Sequence, residues 1–507
     1  MKHPGFRLGW CAALLALATA ARANPSLEVE SLRRVRQEPN PRGLQLGFWA
    51  NHDRSDAVLR DFGPRPVERV DFTRWAAVER SPGEYTRPEW NALRRAHLNG
   101  STIITSVNTI FTREVQPASG SAIPAFYPQR ITHPQTRQAA KAFLHTYVGW
   151  LLDEFGALWL SLDYEFFWNY PPTTPEIRQE YRDWYLEAAA VVRAEAARRG
   201  LGEQVKLVPI ANGEIIRNAQ KFLGSPAPGH QPAAWLREVV AASDALAVDT
   251  YAHDPKDPAS AATAFDNIRF WLTHYADPAK PFFVTENGFS TIREEEPNYP
   301  TAYHARGTEA QQAAFFADMF RRIAQHNATA EKRISTYCIW MYADAVPRAK
   351  KEKLETYFGL RRLDGSAKPA FAAVRSYYRQ VDADPAVAPT RVAATIDVRE
   401  AWRRGEALPL VYESGNRHDV LEARCRVPLE ARGLRIEAEL QTPGALVAEL
   451  NGESWMGSAP DGAQRTVAVV LENGVQAGQL NTLRLRFTGV RYPVAQSVLA
   501  LKISAVR

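Results

Sequence analysis

Short apolar runs alternate with longer segments of helical hydrophobic period between residue 43 and about residue 380. An apolar run of strand length followed by an amphipathic helical pattern is typical of a βα unit. The pattern predicts eight strands, which cover Gly43–Trp49, Val67–Trp75, Ser101–Phe111, Ala157–Glu165, Val205–Glu214, Ala245–Tyr251, Pro281–Glu286 and Ile334–Trp340. Helices are expected between most of these strands, among them 134–155 and 174–199, and a last helix over Pro369–Arg379.

Repeated βα units can form a closed barrel or an open, doubly wound sheet. The first predicted strand is not followed by the Gly-x-Gly-x-x-Gly sequence that opens a helix in nucleotide-binding open sheets. Eight is also the number of strands that closes a (β/α)8 barrel. The predicted fold class is therefore α/β, with a (β/α)8 TIM barrel as the catalytic domain over residues 24–380.

The hydrophobic pattern changes after residue 380. Residues 381–390 are rich in Asp and Pro and are predicted to be a linker. From 391 to 507 the apolar positions alternate in short runs, and Asn451-Gly452 and Asn473-Gly474 mark turns. The pattern predicts a smaller all-β sandwich domain with strands over Leu434–Leu440, Ala445–Leu450, Thr466–Leu471, Thr482–Phe487 and Val498–Ile503.

The N-terminus has the pattern of a secretory signal peptide. Lys2 and Arg7 precede an apolar run from Leu8 to Ala20, and Ala21-Arg22-Ala23 then provides a cleavage site. The sequence predicts a signal peptide over residues 1–23, cleavage after Ala23, and a secreted or periplasmic product. No later stretch approaches a transmembrane span, so no membrane partner is expected after cleavage.

Composition and charge narrow the possible partners. The chain is 45% hydrophobic and 23% charged, as in ordinary globular proteins. Its formal charge of +6 falls to +3 once the three basic residues of the predicted signal are removed, which does not favour nucleic acid. Removal of Cys11 leaves Cys338 and Cys425, which do not form a disulfide framework. Neither CxxC nor HExxH occurs, so no metal and no cofactor is predicted.

The segment Val284-Thr285-Glu286-Asn287-Gly288 ends a buried strand on a carboxylate. A period of two predicts that Phe282, Val284 and Glu286 share one face of that strand. A buried carboxylate is costly unless it is paired or needed, and catalytic groups collect at the C-terminal ends of barrel strands. Glu286 is therefore a candidate catalytic residue, and the alternative is a structural ion pair with Arg69.

The fourth predicted strand offers a second carboxylate at its end. If its leucines face the helices, Asp163 and Glu165 should both point into the barrel. Two carboxylates in unlike environments are what glycoside hydrolysis requires, one as proton donor and one as nucleophile or base. The candidate substrate-binding residues at or near the strand ends are Arg69, Trp75, Asn108, Asp163, Asn169, Asn212, Tyr251 and Trp340. Of these, Tyr251 would orient the nucleophile and Trp340 would stack on a sugar.

Asp249, His253 and Asp254 lie at and after the end of the sixth predicted strand and could together suggest a metal site. No further ligand lies at helical or strand spacing from them, and a solvated loop is the simpler interpretation.

Four motifs resemble those of the clan A glycoside hydrolases. They are the W-x-x-x-E-x-x-x-G-x-Y pattern from Trp75 to Tyr85, the Val284–Gly288 segment, Ile339-Trp340, and Tyr357-Phe358-Gly359-Leu360 with the Asp364–Phe371 segment that follows. The resemblance covers residues 43–380. It implies a retaining β-glycosidase acting on oligo- or polysaccharides, with Glu286 as nucleophile, Glu165 as acid/base, and carboxyl groups about 5–5.5 Å apart.

One position departs from that clan's pattern. Members usually have Asn before the acid/base Glu, where it contacts the sugar 2-hydroxyl, whereas this chain has Tyr164 before Glu165. Asp163 therefore stays an alternative acid, and Asn169 or Asn108 an alternative source of the amide. A non-catalytic carbohydrate-binding or scaffold protein on a decayed barrel, and a transglycosylase, are the competing functions. The C-terminal domain resembles galactose-binding-like sandwiches, either as a sugar-binding module or as a buttress.

Overall fold

The computed structural model describes residues 27–38, 43–49, 54–63, 67–99, 101–110, 121–156, 158–166, 173–202, 204–212, 219, 223–225, 229–251, 256–291, 307–345, 356–383, 390–395, 419–452, 454–457, 465–489 and 498–506. The predicted signal peptide, residues 384–389 of the predicted linker, Asn169, His253 and Asp254 lie outside these ranges.

The strands up to the end of the barrel follow the predicted alternation. They are, in chain order, β1 Glu28–Glu38, β2 Gln45–Trp49, β3 Val67–Arg74, β4 Glu79–Ser81, β5 Glu84–Tyr85, β6 Thr102–Asn108, β7 Leu158–Leu162, β8 Val205–Leu207, β9 Ile210–Asn212, β10 Leu246–Thr250, β11 Phe282–Asn287 and β12 Ile334–Ile339. All eight predicted barrel strands are confirmed, the fifth as the pair β8 and β9.

The barrel closes through that divided fifth strand. One parallel sheet has the order β8-β7-β6-β3-β2-β12-β11-β10-β9. Pro209 lies between β8 and β9, and because proline has no N–H it cannot continue the ladder. The strand changes partner there: Val208 N donates to Leu160 O of β7 (3.1 Å), and Ala247 N of β10 donates to Pro209 O (3.0 Å). The result is the predicted (β/α)8 barrel.

Nine described helices surround the barrel, and the sequence provides a side-chain N-cap for two of them. They are α1 Ser55–Phe62, α2 Trp75–Val78, α3 Asn91–Leu98, α4 Pro134–Phe155, α5 Pro175–Arg198, α6 Ala234–Ala241, α7 Ala262–His274, α8 Glu309–Thr329 and α9 Pro369–Ala383. Thr174 accepts from Ile177 N at the start of α5, and Thr308 and Gln311 form a capping box on α8. The predicted helices over 134–155 and 174–199 are confirmed.

Two hydrophobic clusters separate the outer layer of the barrel from its interior. The larger joins the helices to the outward side chains of the strands, among them Leu158, Leu160 and Leu162 of β7. The smaller fills the barrel and contains Val67, Ile104, Val208, Ile210, Ala245, Ala247, Phe283, Cys338 and Tyr164. Membership of one cluster or the other therefore tells which way each strand residue points.

Register shifts interrupt several of the strand pairings, including the following three. The pairing of β3 with β6 shifts between Arg69 and Phe72. The pairing of β10 with β11 shifts after the pair Val248 and Val284. β1 has a shift between Val29 and Ser31 against a strand of the second domain. An inserted residue in a strand moves every later side chain to the opposite face.

The C-terminal region forms the predicted all-β sandwich. Its strands are β13 Thr390–Thr395, β14 Asp419–Arg426, β15 Gly433–Leu440, β16 Gly444–Leu450, β17 Ser454–Gly457, β18 Thr466–Leu471, β19 Leu480–Gly489 and β20 Val498–Val506. The sheets have the orders β13-β1-β14-β19-β16-β17 and β18-β15-β20, and one apolar cluster lies between them. The five predicted strands are confirmed, whereas β13, β14 and β17 were not predicted.

The predicted start of the barrel domain at residue 24 is wrong. β1 pairs antiparallel with β13 on one side and with β14 on the other, so it belongs to the sandwich. Leu32 of β1 is buried in the sandwich core. The alternation of β1 is broken by its register shift, which is why the sequence pattern did not indicate a strand.

Candidate active site

Glu286 lies near the C-terminal end of β11 with a side chain that is almost wholly buried. Tyr164 Oη donates to its Oε1 (2.7 Å), and Tyr251 Oη donates to its Oε2. Arg69 Nε lies 4.0 Å from Oε1. Hydroxyl donors and a nearby guanidinium favour the ionised form of a buried carboxyl, so these three residues hold Glu286 as a carboxylate.

The predicted face of Glu286 is wrong in one respect. Phe282 and Val284 pack in the outer cluster, whereas Phe283 packs inside the barrel. Strict alternation would therefore direct Glu286 toward the helices. The register shift pairs Asp249 with Glu286 instead of Thr285 and returns the carboxylate to the barrel.

Tyr164 reaches Glu286 because β7 ends in a sharp backbone turn. Asp163 and Glu165 both have positive φ (57° and 46°), in the left-handed region that is uncommon for residues other than glycine. Asn108 Oδ1 accepts from Tyr164 N (3.0 Å) and fixes the turn from the neighbouring strand. Asn108 thus contributes to the site through the backbone of Tyr164.

Asp163 does not point into the barrel, contrary to prediction. Its carboxylate accepts from Thr109 N (2.5 Å), Ile110 N (3.1 Å) and, on the helix side, Trp184 Nε1 (3.1 Å). Burial raises the pKa of Asp163 to about 6, although these hydrogen bonds lower it. The left-handed turn directs Asp163 outward, where it anchors the loop that carries Glu165. This placement disfavours Asp163 as the acid.

Glu165 is more exposed to solvent than Glu286. It is partly exposed, and Asn212 Nδ2 at the end of β9 lies 3.5 Å from its Oε1. Burial is the largest cause of the raised pKa of Tyr251, and the charges of Glu286 and Glu165 raise it further. The two predicted carboxylates therefore act on one common site, and Tyr251 stays a protonated donor.

Asp249 is a further buried carboxyl beside Glu286. It is fully buried on β10, opposite Glu286 in register, and its Oδ1 accepts from Thr285 Oγ1 (2.6 Å). Burial, then the charges of Glu286 and Glu165, raise its pKa well above the ordinary value. The raised pKa favours the neutral form of Asp249, which places no second negative charge beside Glu286.

Aromatic rings and Arg69 build the floor of the site. The Arg69 guanidinium lies 4.9 Å from the Trp49 ring and 4.5 Å from the Tyr164 ring. Trp49 packs in turn against Trp340, with ring centroids 4.7 Å apart. Trp340 is partly exposed, and its backbone N–H donates to the carbonyl oxygen of Asn287 (2.9 Å), the residue that follows Glu286.

Gly288 allows that close approach between the seventh and eighth barrel strands. A Cβ at Gly288 would lie 2.2 Å from the Trp340 carbonyl oxygen, a distance that no side chain tolerates. The Asn-Gly pair after Glu286 therefore has a packing reason as well as a turn-forming one.

Trp75 was predicted to bind substrate, and the structure contradicts this. Trp75 is fully buried in the outer cluster, between Tyr127 (centroids 5.2 Å apart) and Phe143 (5.9 Å), and its Nε1 donates to Glu79. Glu79 also accepts from Gly83 N (2.7 Å) and Tyr127 Oη (2.8 Å). The W-x-x-x-E-x-x-x-G-x-Y motif is thus a structural device that fixes the hairpin after β3.

Three residues at the mouth were missed or misjudged. Tyr164 was treated only as a departure from a familiar pattern, although its hydroxyl binds Glu286. Strict alternation from Arg69 favours Asp71 and Thr73 on the inner face of β3, so the sequence did not predict Phe72 and Arg74 there. The register shift in β3 instead pairs Phe72 with Ser106 and Arg74 with Asn108, on the inner face of the barrel. Sequence alternation alone carries no signal for such a shift.

Among the described ranges, no group of three or more His, Cys, Asp or Glu side chains is arranged to hold a metal ion. None of the described helices is long and apolar enough to cross a bilayer. Cys338 and Cys425 are both buried free thiols.

No protein-family model matches the chain, and no curated protein matches it. Among solved structures, the chain is similar to the exo-β-1,4-mannosidase Op5Man5 from Opitutaceae bacterium strain TAV5 (15% identity, TM-score 0.46), over 68% of this chain and only 60% of that enzyme. It is also similar to a GH5_18 enzyme from Streptomyces cattleya solved with Manb1-4GlcNAc (16%, TM-score 0.49; 68% and 83%). A family 39 glycoside hydrolase from Bacteroides cellulosilyticus WH2 matches over 88% of this chain and 81% of its own (14%, TM-score 0.42).

These TM-scores carry no argument about activity, and the barrel rests on its own strand pairing. By its strand order and its motifs the chain is a (β/α)8-barrel protein that resembles the clan A glycoside hydrolases.

Proposed function

We propose that the protein is a retaining glycoside hydrolase that cleaves O-glycosidic bonds of oligo- or polysaccharides. The observation that carries the proposal is the buried carboxylate Glu286, which is held by Tyr164 and Tyr251 and shares its site with the more exposed Glu165. Two carboxyl groups with such different surroundings fit the division of labour between a nucleophile and a proton donor.

Glu286 acts as the nucleophile in this mechanism. Its carboxylate attacks the anomeric carbon, and the bond to the leaving sugar breaks to give a glycosyl-enzyme. Tyr251 and Tyr164 each hold one carboxylate oxygen, which orients the group. Arg69 balances its charge at 4.0 Å. The oxygen that forms the ester must give up its tyrosine hydrogen bond, and ester formation removes the negative charge of Glu286.

Glu165 acts as the acid and then as the base. It donates its proton to the leaving oxygen in the first step and removes a proton from water in the second. Partial exposure suits this role because the group must meet both the leaving sugar and water. Asn212 Nδ2 lies 3.5 Å from Glu165 Oε1, and we assign Asn212 to orientation of that carboxyl. Trp340 supports the sugar ring from below.

The test is a screen of aryl β-glycosides and of plant and microbial polysaccharides, with product anomers followed by NMR. We expect products that keep the anomeric configuration of the substrate. Glu286→Gln should lower kcat/KM by at least about 10³-fold because the nucleophile is lost, whereas Glu331→Gln, an exposed control on the same domain, should change it less than about twofold.

Four outcomes would contradict the proposal in different ways. Inversion of configuration would contradict the double displacement. A Glu286→Gln variant within about tenfold of the wild type, about 1.4 kcal/mol, would contradict the nucleophile. Binding of sugars without any turnover would favour a non-catalytic carbohydrate-binding protein. Transfer products that dominate at low acceptor concentration would favour a transglycosylase.

We also propose that the protein is exported, because residues 1–23 have the pattern of a signal peptide. Edman sequencing or intact mass of the protein purified from periplasm or medium should give Asn24 as the first residue. A product that retains Met1 in the cytoplasm would contradict export.

A further inference from the structure

The inner face of β3 and the turn after β7 form a stack of side chains at the barrel mouth. Arg69 lies against one face of the Tyr164 ring, with the guanidinium 4.5 Å from its centroid. The Phe72 ring is nearly parallel to Tyr164, at 5.8 Å and 17°. The Arg74 guanidinium lies 5.6 Å from the Phe72 centroid. We call these four residues the mouth stack.

The two cations of the mouth stack differ in their surroundings. Arg69 is fully buried and has Glu286 at 4.0 Å to balance its charge. Arg74 makes no hydrogen bond or ion pair with any side chain that the structure describes, and its Nε is shielded from solvent. Partial burial lowers the pKa of Arg74, with no carboxylate contributing. Among the described residues, Arg74 therefore has no counter-ion, whereas Arg69 has Glu286.

Phe72 is the other unusual member. It is 39% exposed, one of few large apolar side chains so exposed among the described residues, and its ring contacts the tyrosine that binds Glu286. An exposed aromatic ring beside a catalytic centre offers a face on which a sugar can stack.

We propose that Phe72 and Arg74 form a subsite for a sugar ring that carries an oxyanion substituent, a carboxylate or a sulfate ester, next to the sugar that Glu286 attacks. This inference rests on the proposed glycosidase function and specifies its substrate class.

The chemistry of the pair supports an anionic sugar more than a neutral one. A neutral ring would use the Phe72 face but would leave the Arg74 guanidinium half-buried and unpaired, which is costly. A guanidinium binds carboxylate or sulfate through two parallel N–H donors. The site also holds the carboxylates Glu286 and Glu165, so a substrate with its own negative charge needs a cation that those groups do not already use.

The experiment measures binding in a Glu286→Gln background, in which turnover does not interfere. Isothermal titration would use matched neutral, C6-carboxylate and 6-sulfate forms of β-1,4-linked cellobiose, mannobiose and galactobiose. We expect at least one C6-carboxylate or 6-sulfate form to bind at least about tenfold more tightly than its neutral parent, with a preference that falls as salt is raised. The carboxylate and sulfate arms identify which substituent is the ligand.

Arg74→Ala should remove that preference, and Arg74→Lys should restore only part of it, because lysine lacks the planar pair of donors. Phe72→Ala should weaken neutral and charged forms alike, and Phe72→Tyr should leave both within about threefold. Arg432→Ala, which removes an exposed arginine of the sandwich, is the charge control and should change neither. Equal melting temperatures across the variants exclude a folding defect.

The inference would be overturned if neutral and charged forms bound equally, or if no charged form bound. It would also be overturned if Arg74→Ala weakened binding of both forms by the same factor. These results are separable from failure of the proposed function. Turnover that depends on Glu286 but ignores substrate charge removes only the subsite. Charge-selective binding that depends on Arg74, in a wild-type protein without turnover, removes only the glycosidase.

Discussion

The two ends of the barrel each bury a glutamate, and the two glutamates are held in opposite ways. At the mouth, Glu286 has two tyrosine hydroxyls and Arg69 around it. At the other end of β3, Glu68 Oε1 accepts from Ser55 Oγ (2.9 Å) and Ser101 Oγ (2.6 Å), and its Oε2 has no partner among the described residues. No cation contributes to the pKa of Glu68, which burial raises to about 7.

The difference shows what burial of a carboxyl requires. With donors and a cation nearby, a carboxylate stays charged and can act as a nucleophile; with neutral donors alone, it takes up a proton and becomes a structural group. Activity and stability should therefore separate between the two ends. Variants at the mouth should lose turnover and keep their stability, whereas a variant at Glu68 should keep turnover and change only the pH dependence of stability.

The largest effect is expected for Glu165→Gln. Loss of the proton donor should lower kcat by about 10²–10⁴-fold on alkyl glycosides and far less on dinitrophenyl glycosides, whose leaving group needs no proton. The alkaline limb of the pH profile should disappear. The measurement compares kcat on both substrate types, with the melting temperature as control. Equal losses on both would remove Glu165 from the role of acid.

Tyr164→Phe should have an intermediate effect. It removes the donor to Glu286 Oε1 but keeps the ring between Arg69 and Phe72, and a hydrogen bond to a charged group contributes about 1.5–3 kcal/mol. We expect kcat/KM to fall roughly 10–100-fold. Since the hydroxyl favours the ionised carboxyl, its loss should move the acidic limb of the kcat/KM profile to higher pH.

Tyr181→Phe is the matched control for Tyr164→Phe, because the buried Tyr181 hydroxyl has no hydrogen-bond partner among the described residues. It should leave the pH profile in place. If both variants shifted the acidic limb equally, or neither did, the contact between Tyr164 and Glu286 would have no part in ionisation.

The smallest effect, on stability alone, is expected for Glu68→Gln. In the unfolded chain Glu68 loses its proton near 4.5, and in the folded chain near 7. The native state therefore binds more protons between these values, and wild-type stability falls by about 3 kcal/mol as pH rises through that window. A neutral glutamine does not lose stability this way. The melting temperature of the variant, relative to wild type, should rise between pH 5 and pH 8 with kcat unchanged. A pH-independent difference would contradict the assignment.

Much of the fold could be predicted from hydrophobic pattern because most strands keep strict alternation or a continuous buried run. The eight barrel strands and five sandwich strands were readable for that reason. β1 was not, because the shift between Val29 and Ser31 hides its period. The site shows the same limit. Glu286, Glu165, Tyr251 and Trp340 were found from strand ends and motifs.

The directions of side chains were less predictable than their identities. The shift in β11 reversed the expected face of Glu286, and the shift in β3 places Phe72 and Arg74 on the inner face of the barrel. Asp163 points outward because its φ is positive, which the sequence does not predict. In each case the deciding feature is a local backbone irregularity fixed by neighbouring strands, which a single strand's sequence cannot specify.

The place of β1 between β13 and β14 has a consequence for biosynthesis. Glu28–Glu38 leaves the ribosome early, yet its neighbours begin at Thr390 and Asp419, more than 350 residues later. The whole barrel can form before either edge of β1 is paired. Exposed strand edges invite pairing with other chains, and the two edges here are covered only when the last part of the polypeptide arrives. A nascent chain that stalls after the barrel would therefore expose both edges of β1 to other chains.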